Sequence, residues 1–333
     1  MEALKDLAGK VTGDENSPGI FNSAAPTGER AGKGEFPKPG DFVVESQVDR
    51  VVGIQADMEK KPESVTAVQG DEDFTKYKAA GLMIGKKTIV TGGDSGIGRA
   101  AAVHFAKEGA DVAIVYLPEE QVDADKTKQL IEKAGRQCLL FPQDIRDEAG
   151  CNRVIESVVK AWGRIDVLVN NASVMYDQKS ITDITTEQFK RTMETNIYGT
   201  FFLTRAAVPH IPKGGSIIIT ASQGEFSFGP PSLLDYSMTK GAQVSMVRCL
   251  SNQLIGQGIR VNAVCPGPVW TPLQPAAMDK ETMKTWHNTP APIGRIGQPS
   301  ELGPAYVFLA SEQMGSFISG QSIHVNGGAI VSG

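Results

Sequence analysis

From Lys87 onward the chain alternates short β-branched and aliphatic runs with longer stretches whose apolar positions return every three to four residues. The runs Thr88–Val90, Val112–Tyr116, Cys138–Phe141, Val167–Val169, Ser216–Ile219, Val261–Val264 and Ser322–Val325 predict seven strands. Helical periodicity falls over Gly98–Glu108, Asp123–Ala134, Asn152–Trp162, Thr186–Ala207, Tyr236–Ile255 and Ser300–Ala310. Strands that are apolar along their length and separated by helices imply βαβ units, hence an α/β fold with a mostly parallel sheet covered on both faces.

The N-terminal quarter has a different texture. Residues 1–40 are rich in Gly, Pro, Lys and Glu, and bury too little apolar surface to offset their ordering entropy, so a mobile extension is expected there. Residues 41–82 carry Val43, Val44, Val51, Val52 and Ile54 without a sustained period. They read as an arm that packs on the body or on a neighbouring subunit, and residues 83–333 as the folded domain.

Composition narrows the function. A formal charge of −5 over 333 residues argues against a nucleic-acid or anionic-membrane surface. No apolar run approaches the roughly 20 residues of a membrane span, and the opening residues lack the apolar core of a secretory signal. Cys138, Cys151, Cys249 and Cys265 have no C-x-x-C spacing and read as thiols of a cytoplasmic protein. His104, His210, His287 and His324 are scattered, and no metal site is expected.

Two patterns carry chemistry. Directly after the first strand, Thr91-Gly-Gly-Asp-Ser-Gly-Ile-Gly98 opens into a helical pattern, with Gly92, Gly96 and Gly98 in G-x-x-x-G-x-G spacing. Glycines at a strand-to-helix junction permit a tight turn and a close approach to a diphosphate, whose charge then sits at a helix N-terminus. The second strand ends on Tyr116, where an acid gripping a ribose 2′-hydroxyl is the common arrangement. The tyrosine leaves room for a 2′-phosphate, Arg99 offers a cation, and Glu119 and Glu120 pull the other way, so the balance leans to NADP over NAD. Further on, Tyr236 and Lys240 stand four apart, on one face of a helix. An ammonium there favours the phenolate and lowers the phenol's pKa, making Tyr236 a general acid/base. Ser222 lies fourteen residues upstream at a strand end, where it is either a turn residue or a hydroxyl for a substrate oxygen.

With the glycine loop, Asn170-Asn171-Ala172, Asn196, Ser222, Tyr236, Lys240 and Pro266-Gly267 in this order, the chain from about Leu82 onward resembles the short-chain dehydrogenase/reductase family. The resemblance implies a single Rossmann-type domain and hydride transfer between a nicotinamide and a ketone or secondary alcohol. It implies Tyr236 as proton carrier, Lys240 lowering its pKa and holding the nicotinamide ribose, Ser222 orienting the carbonyl, and Asn196 supporting a water relay to Lys240. It places Ser95 and Ile97 in the phosphate loop, Asp144 at the adenine, and Asn171 and Ala172 beside the adenosine ribose. Pro266, Gly267, Val269 and Thr271 fall at the nicotinamide end and diphosphate. Ser173 departs from the glycine that often follows Asn-Asn-Ala. The loop, the Tyr-Leu-Pro-Glu-Glu segment and the arm look like one branch whose members assemble as tetramers.

Two residues also admit a structural reading: Asp144 as the cap of the next helix, and Asn196 as a buried hydrogen-bonding residue. Residues 270–297, with Pro272, Pro275, Met278, Met283, Trp286 and Pro290, suggest a lid. With Val174, Met175, Phe226, Phe228 and Leu233 it predicts an apolar substrate pocket without a cationic clamp. A non-catalytic dinucleotide reader on the same fold is the alternative, disfavoured because Asn196, Ser222, Tyr236 and Lys240 are all present.

Overall fold

The computed structural model describes residues 47, 52–64, 77–226, 230–286 and 291–331; the expected mobile extension over residues 1–40 lies outside them. The seven strands are β1 (Lys87–Thr91), β2 (Asp111–Tyr116), β3 (Cys138–Pro142), β4 (Val167–Asn170), β5 (Ser216–Thr220), β6 (Arg260–Pro266) and β7 (Ser322–Val325). They form one sheet in the order β3-β2-β1-β4-β5-β6-β7. Every pairing is parallel, so the mostly parallel sheet expected is parallel throughout.

The helices that cover it are α1 (Gly96–Lys107), α2 (Gln121–Lys133), α3 (Glu148–Trp162), α4 (Thr186–Met193), α5 (Thr200–Ala207) and α6 (Leu234–Leu254), then α7 (Leu273–Ala277), α8 (Lys280–Trp286), α9 (Pro299–Ala310) and α10 (Glu312–Gly315). One face of the sheet packs on α1 and α9 through Phe105, Ala101, Leu302 and Tyr306. The other packs on α3, α5 and α6 through Ile155, Val158, Leu203, Val247 and Leu254. Helix α9 comes close to α1 because residue 303 is glycine: a Cβ there would lie 2.3 Å from His104 Nδ1.

The sequence pattern merged α4 and α5 into one helix. The structure separates them by a π-helical turn, Glu194–Gly199. Such turns free backbone groups from the regular ladder and recur at functional sites, and this one contains Asn196. The lid also differs from the long loop expected. It carries α7 and α8, with Asp279 accepting the Thr282 N–H at 2.7 Å as α8 begins.

Candidate active site

Chain order reverses direction between β1 and β4, and in open parallel sheets a ligand cleft forms beyond the strand ends at that point. On the β1 side, Gly92 and Gly96 take φ +59° and +49°. A Cβ on Gly98 would lie 1.9 Å from the Gly92 carbonyl oxygen and 2.6 Å from Asn171 Nδ2. The loop therefore closes on itself over Gly98 and turns its open side to the cleft, a cradle that fits a diphosphate. Asn171 fastens this loop to β4: its Nδ2 donates to the carbonyls of Thr91 at 3.1 Å and Gly92 at 3.3 Å. Thr91 Oγ1 accepts from the amides of Asn171 and Ala172 at 2.9 and 3.0 Å.

Of the residues singled out in the sequence, Gly92, Ser95, Gly96, Ile97, Tyr116 and Asp144 line one cavity. So do Asn171, Ala172, Ser222, Tyr236 and Lys240, and beyond them Pro266, Gly267, Val269 and Thr271. Gly98 and Asn196 are not on its wall; Gly98 lies under the loop, and Asn196 sits behind Lys240. Helix α3 is preceded by Asp147, so Asp144 is not its cap. Asp144 instead takes a two-pronged contact from Arg146, at 2.9 Å from Nε and 2.6 Å from Nη2. Burial pushes the Asp144 carboxyl up, but the Arg146 hydrogen bonds and charge hold it below the usual range.

The tyrosine–lysine pair differs from expectation in its electrostatics. Lys240 Nζ lies 5.3 Å from the centre of the Tyr236 ring, and donates to the Thr220 carbonyl at 2.8 Å and to Gln243 Oε1 at 3.1 Å. Burial pushes the Lys240 ammonium down to about 8, with Glu225 and Cys265 acting against it. Burial also raises the Tyr236 phenol, as does the Glu225 carboxylate, while the hydrogen bond with Ser222 pulls it down. Burial is the largest influence, and without a bound cofactor it keeps Tyr236 protonated. Ser222 is a turn residue, accepting the Gly224 N–H at 3.2 Å, and it also lines the cavity.

Behind the pair lies a bridge the sequence reading missed. Gln243 Nε2 donates to the Asn196 carbonyl at 2.8 Å while its Oε1 receives Lys240. The Asn196 side chain clasps Val174, accepting its N–H at 2.9 Å and donating to its C=O at 3.0 Å. Asn196 therefore connects to Lys240 through a glutamine amide. One helical turn beyond Lys240 on the same face, Gln243 has the i,i+3 spacing that would have flagged it.

At the far end, Arg99 is buried beneath the loop and is not on the cavity wall. Its Nε donates to the Asp94 carbonyl at 2.7 Å and Thr127 Oγ1 at 2.9 Å, and its Nη2 to Asp123 Oδ1 at 3.1 Å. Asp94 is buried beside Tyr116 in the cavity wall. Glu120 shares that wall. Burial raises both carboxyls above the usual range, and the charge of Asp94 raises Glu120 further.

The apolar wall is smaller than expected. Val174, Met175, Leu273 and Ala276 face the cavity, whereas Met278, Met283 and Leu233 pack into the lid's own core with Trp270 and Met58. Phe226 turns to His324, with ring centres 4.7 Å apart. Phe228, Pro290 and the Trp286 side chain lie outside the described residues. Arg146 and Arg191 do line the cavity, beside Asp144.

Comparison with known proteins decides the family. Residues 92–329 match the family model described as enoyl-(acyl carrier protein) reductase. The uncharacterized oxidoreductase YhxC of Bacillus subtilis is 52% identical over 260 residues, covering 78% of this chain and 90% of that protein. The chain belongs to the short-chain dehydrogenase/reductase family. It is 44% identical over 261 residues to the chloroplastic NADPH-dependent aldehyde reductase 1 of Arabidopsis thaliana, covering 77% of this chain and 90% of the relative. Among solved members, a Burkholderia cenocepacia enzyme in complex with NADP has a TM-score of 0.68 at 29% identity, over 74% of this chain and 98% of the other. A Mycobacterium paratuberculosis enzyme bound to NAD has a TM-score of 0.67 at 30% identity, with the same coverage. This short-chain dehydrogenase/reductase is an oxidoreductase that works with a nicotinamide cofactor.

Proposed function

We propose that the enzyme reduces an apolar ketone or aldehyde, with Tyr236 as proton donor. The observation that carries this reading is that Tyr236, Ser222 and Lys240 share one cavity with the glycine loop, across the β1/β4 switch point. A nicotinamide dinucleotide, when bound, supplies the hydride. The glycine loop and the Pro266–Thr271 segment hold its diphosphate and nicotinamide ends, and Asn171, Ala172 and Asp144 hold its adenosine. Ser222 orients the substrate oxygen by hydrogen bonding, and Tyr236 holds at its Oη the proton that this oxygen needs. Lys240, fixed by Thr220, Gln243 and Asn196, keeps a cation beneath the pair. A buried phenol that retains its proton supports the reductive direction. Val174, Met175, Leu273 and Ala276 support an apolar substrate.

For the cofactor, the lean to NADP rested on Tyr116 and on Arg99. With Arg99 engaged within the protein, the lean to NADP rests on Tyr116 standing where an acid is common, and on similarity to an NADPH-dependent aldehyde reductase and to an enzyme solved with NADP. Four free cysteines support a cytoplasmic location. Exposed Tyr198 and Phe201 on one side, and Phe317 and Ile330 near the C-terminus, support assembly as a homotetramer.

The test is a fluorescence titration with NADH and NADPH, followed by a carbonyl panel with the wild type and Tyr236→Phe. Tighter NADPH binding is expected, with turnover reduced by roughly 10²–10⁴ in the variant while cofactor still binds. Near-normal turnover by Tyr236→Phe would sink the mechanism.

A further inference from the structure

The arm reaches the cofactor cavity. Val52 and Gly53 form part of its wall, and a Cβ on Gly53 would lie 2.1 Å from the Pro272 carbonyl oxygen, so arm backbone lies directly on the lid. Gln47 bonds the same lid, its N–H donating to the Pro275 carbonyl at 2.8 Å, and its Oε1 accepting the Ile54 N–H at 2.8 Å. On the other side of the cavity, the buried Gln55 reaches the glycine loop: its Oε1 accepts the Gly96 N–H at 2.9 Å. Its own N–H donates to Asp123 Oδ2 at 2.6 Å, the carboxylate that also receives Arg99 from beneath the loop. Past Gln55, the segment stays fixed. The Lys60 carbonyl accepts Trp270 Nε1 at 2.9 Å, the Glu63 N–H donates to Gln298 Oε1 at 3.0 Å, and the Glu63 carbonyl accepts the Ser300 N–H at 2.9 Å.

These contacts link two walls with no other covalent reason to move together. Gly96 is the first residue of α1 and sits at positive φ. Its N–H is one of the donors that a helix start leaves without an internal partner. Gln55 occupies that donor, and thereby fixes the loop while the following amides remain for a ligand. A Cβ on Gly96 would lie 3.2 Å from Thr271 Cβ, so loop and lid nearly touch where the arm spans them.

We propose that residues 52–64 complete the cofactor site: Gln55 positions the glycine loop, and the segment straps that loop to the lid across the diphosphate of the bound dinucleotide. This rests on the dinucleotide reading above and adds a part of the chain to it. Gln55 acts through Gly96 and is a positioning residue.

The test uses the full-length protein with Gln55→Met, which keeps length but removes the acceptor, and Gln55→Glu, which keeps an acceptor for Gly96 and adds charge. NADPH is titrated by fluorescence and ADP-ribose by calorimetry. Gln55→Met is expected to weaken both ligands about tenfold through the unpaired amide. Gln55→Glu sets a charge beside the diphosphate, at a buried position that salt screens little. It is expected to weaken both ligands more than Gln55→Met while leaving the binding of adenosine, which has no diphosphate, unchanged. A merely structural lesion would not give that signature. Hydrogen exchange on the wild type provides a readout that needs no variant: NADPH should slow exchange over residues 52–64 together with residues 92–98. Unchanged affinity in both variants, or a segment 52–64 indifferent to NADPH, overturns the strap while leaving the dinucleotide site intact. A wild type that binds neither NADH nor NADPH overturns both.

Discussion

Lys240 holds an ammonium where only 1% of its surface meets solvent. Burial pushes it from 10.5 down to about 8, so the native state binds this proton more weakly than the unfolded chain does. Between about pH 8 and pH 10 the unfolded state therefore carries more protons, and this group's contribution to stability rises with pH. Denaturant midpoints of the wild type and Lys240→Met across that window should show the wild type gaining by about 2–3 kcal/mol on the variant. A difference flat with pH would mean that Lys240 is not a buried cation. At this scale the spacing of Tyr236, Lys240 and Ser222 and the order of the glycines were legible, because they are local and depend on residue type. What spacing could not show was where the ammonium points, since the Thr220 carbonyl and Gln243 come from tertiary packing. Nor could it show that Arg99, a nearby cation on paper, lies under the loop with Asp94, Asp123 and Thr127 as partners.

All seven strands and the main helices were readable, because apolar runs broken by helical periods leave few alternatives. The π-helical turn was not, since Glu194–Gly199 continues an amphipathic pattern and only hydrogen bonding reveals the extra residue. Helix–helix distance is equally silent in periodicity, yet it decides the packing of α9 on α1. With a Cβ at residue 303 falling 2.3 Å from His104 Nδ1, Gly303→Ala forces the helices apart or rotates the imidazole. His104 is buried, its Nδ1 lies 2.7 Å from the Ala100 carbonyl, and burial pushes its pKa down to about 4. The imidazole is thus a neutral packing element with little room to yield. Overpacking of this kind costs roughly 1–3 kcal/mol, which should appear as a lower thermal midpoint with an unchanged far-ultraviolet spectrum.

Over the molecule as a whole, the arm is where the sequence said least. Without period, residues 41–82 offered no direction, and the contacts of Gln55, Lys60 and Glu63 reach partners between 41 and 237 positions away. The outer surface poses the complementary question. Phe317 and Ile330 are almost wholly exposed, at 103% and 96%, and Phe201 is half exposed at 46%. If copies of the chain cover these side chains, Phe201→Lys and Phe317→Lys should each lower the mass seen by light scattering. A wild type that is monomeric at working concentration would rule the tetramer out.

The position of the cleft between β1 and β4 has a consequence for how the protein comes into being. The phosphate loop issues from the half of the sheet built first in the chain, and Ser222, Tyr236 and Lys240 from the half built last. On the proposed mechanism neither half contains a working site, because no fragment ending before β5 holds a member of the serine–tyrosine–lysine group. During synthesis, a nascent chain is chemically silent until its second half docks against its first. Recovery of turnover after refolding therefore reports the joining of the two halves and not the formation of either one.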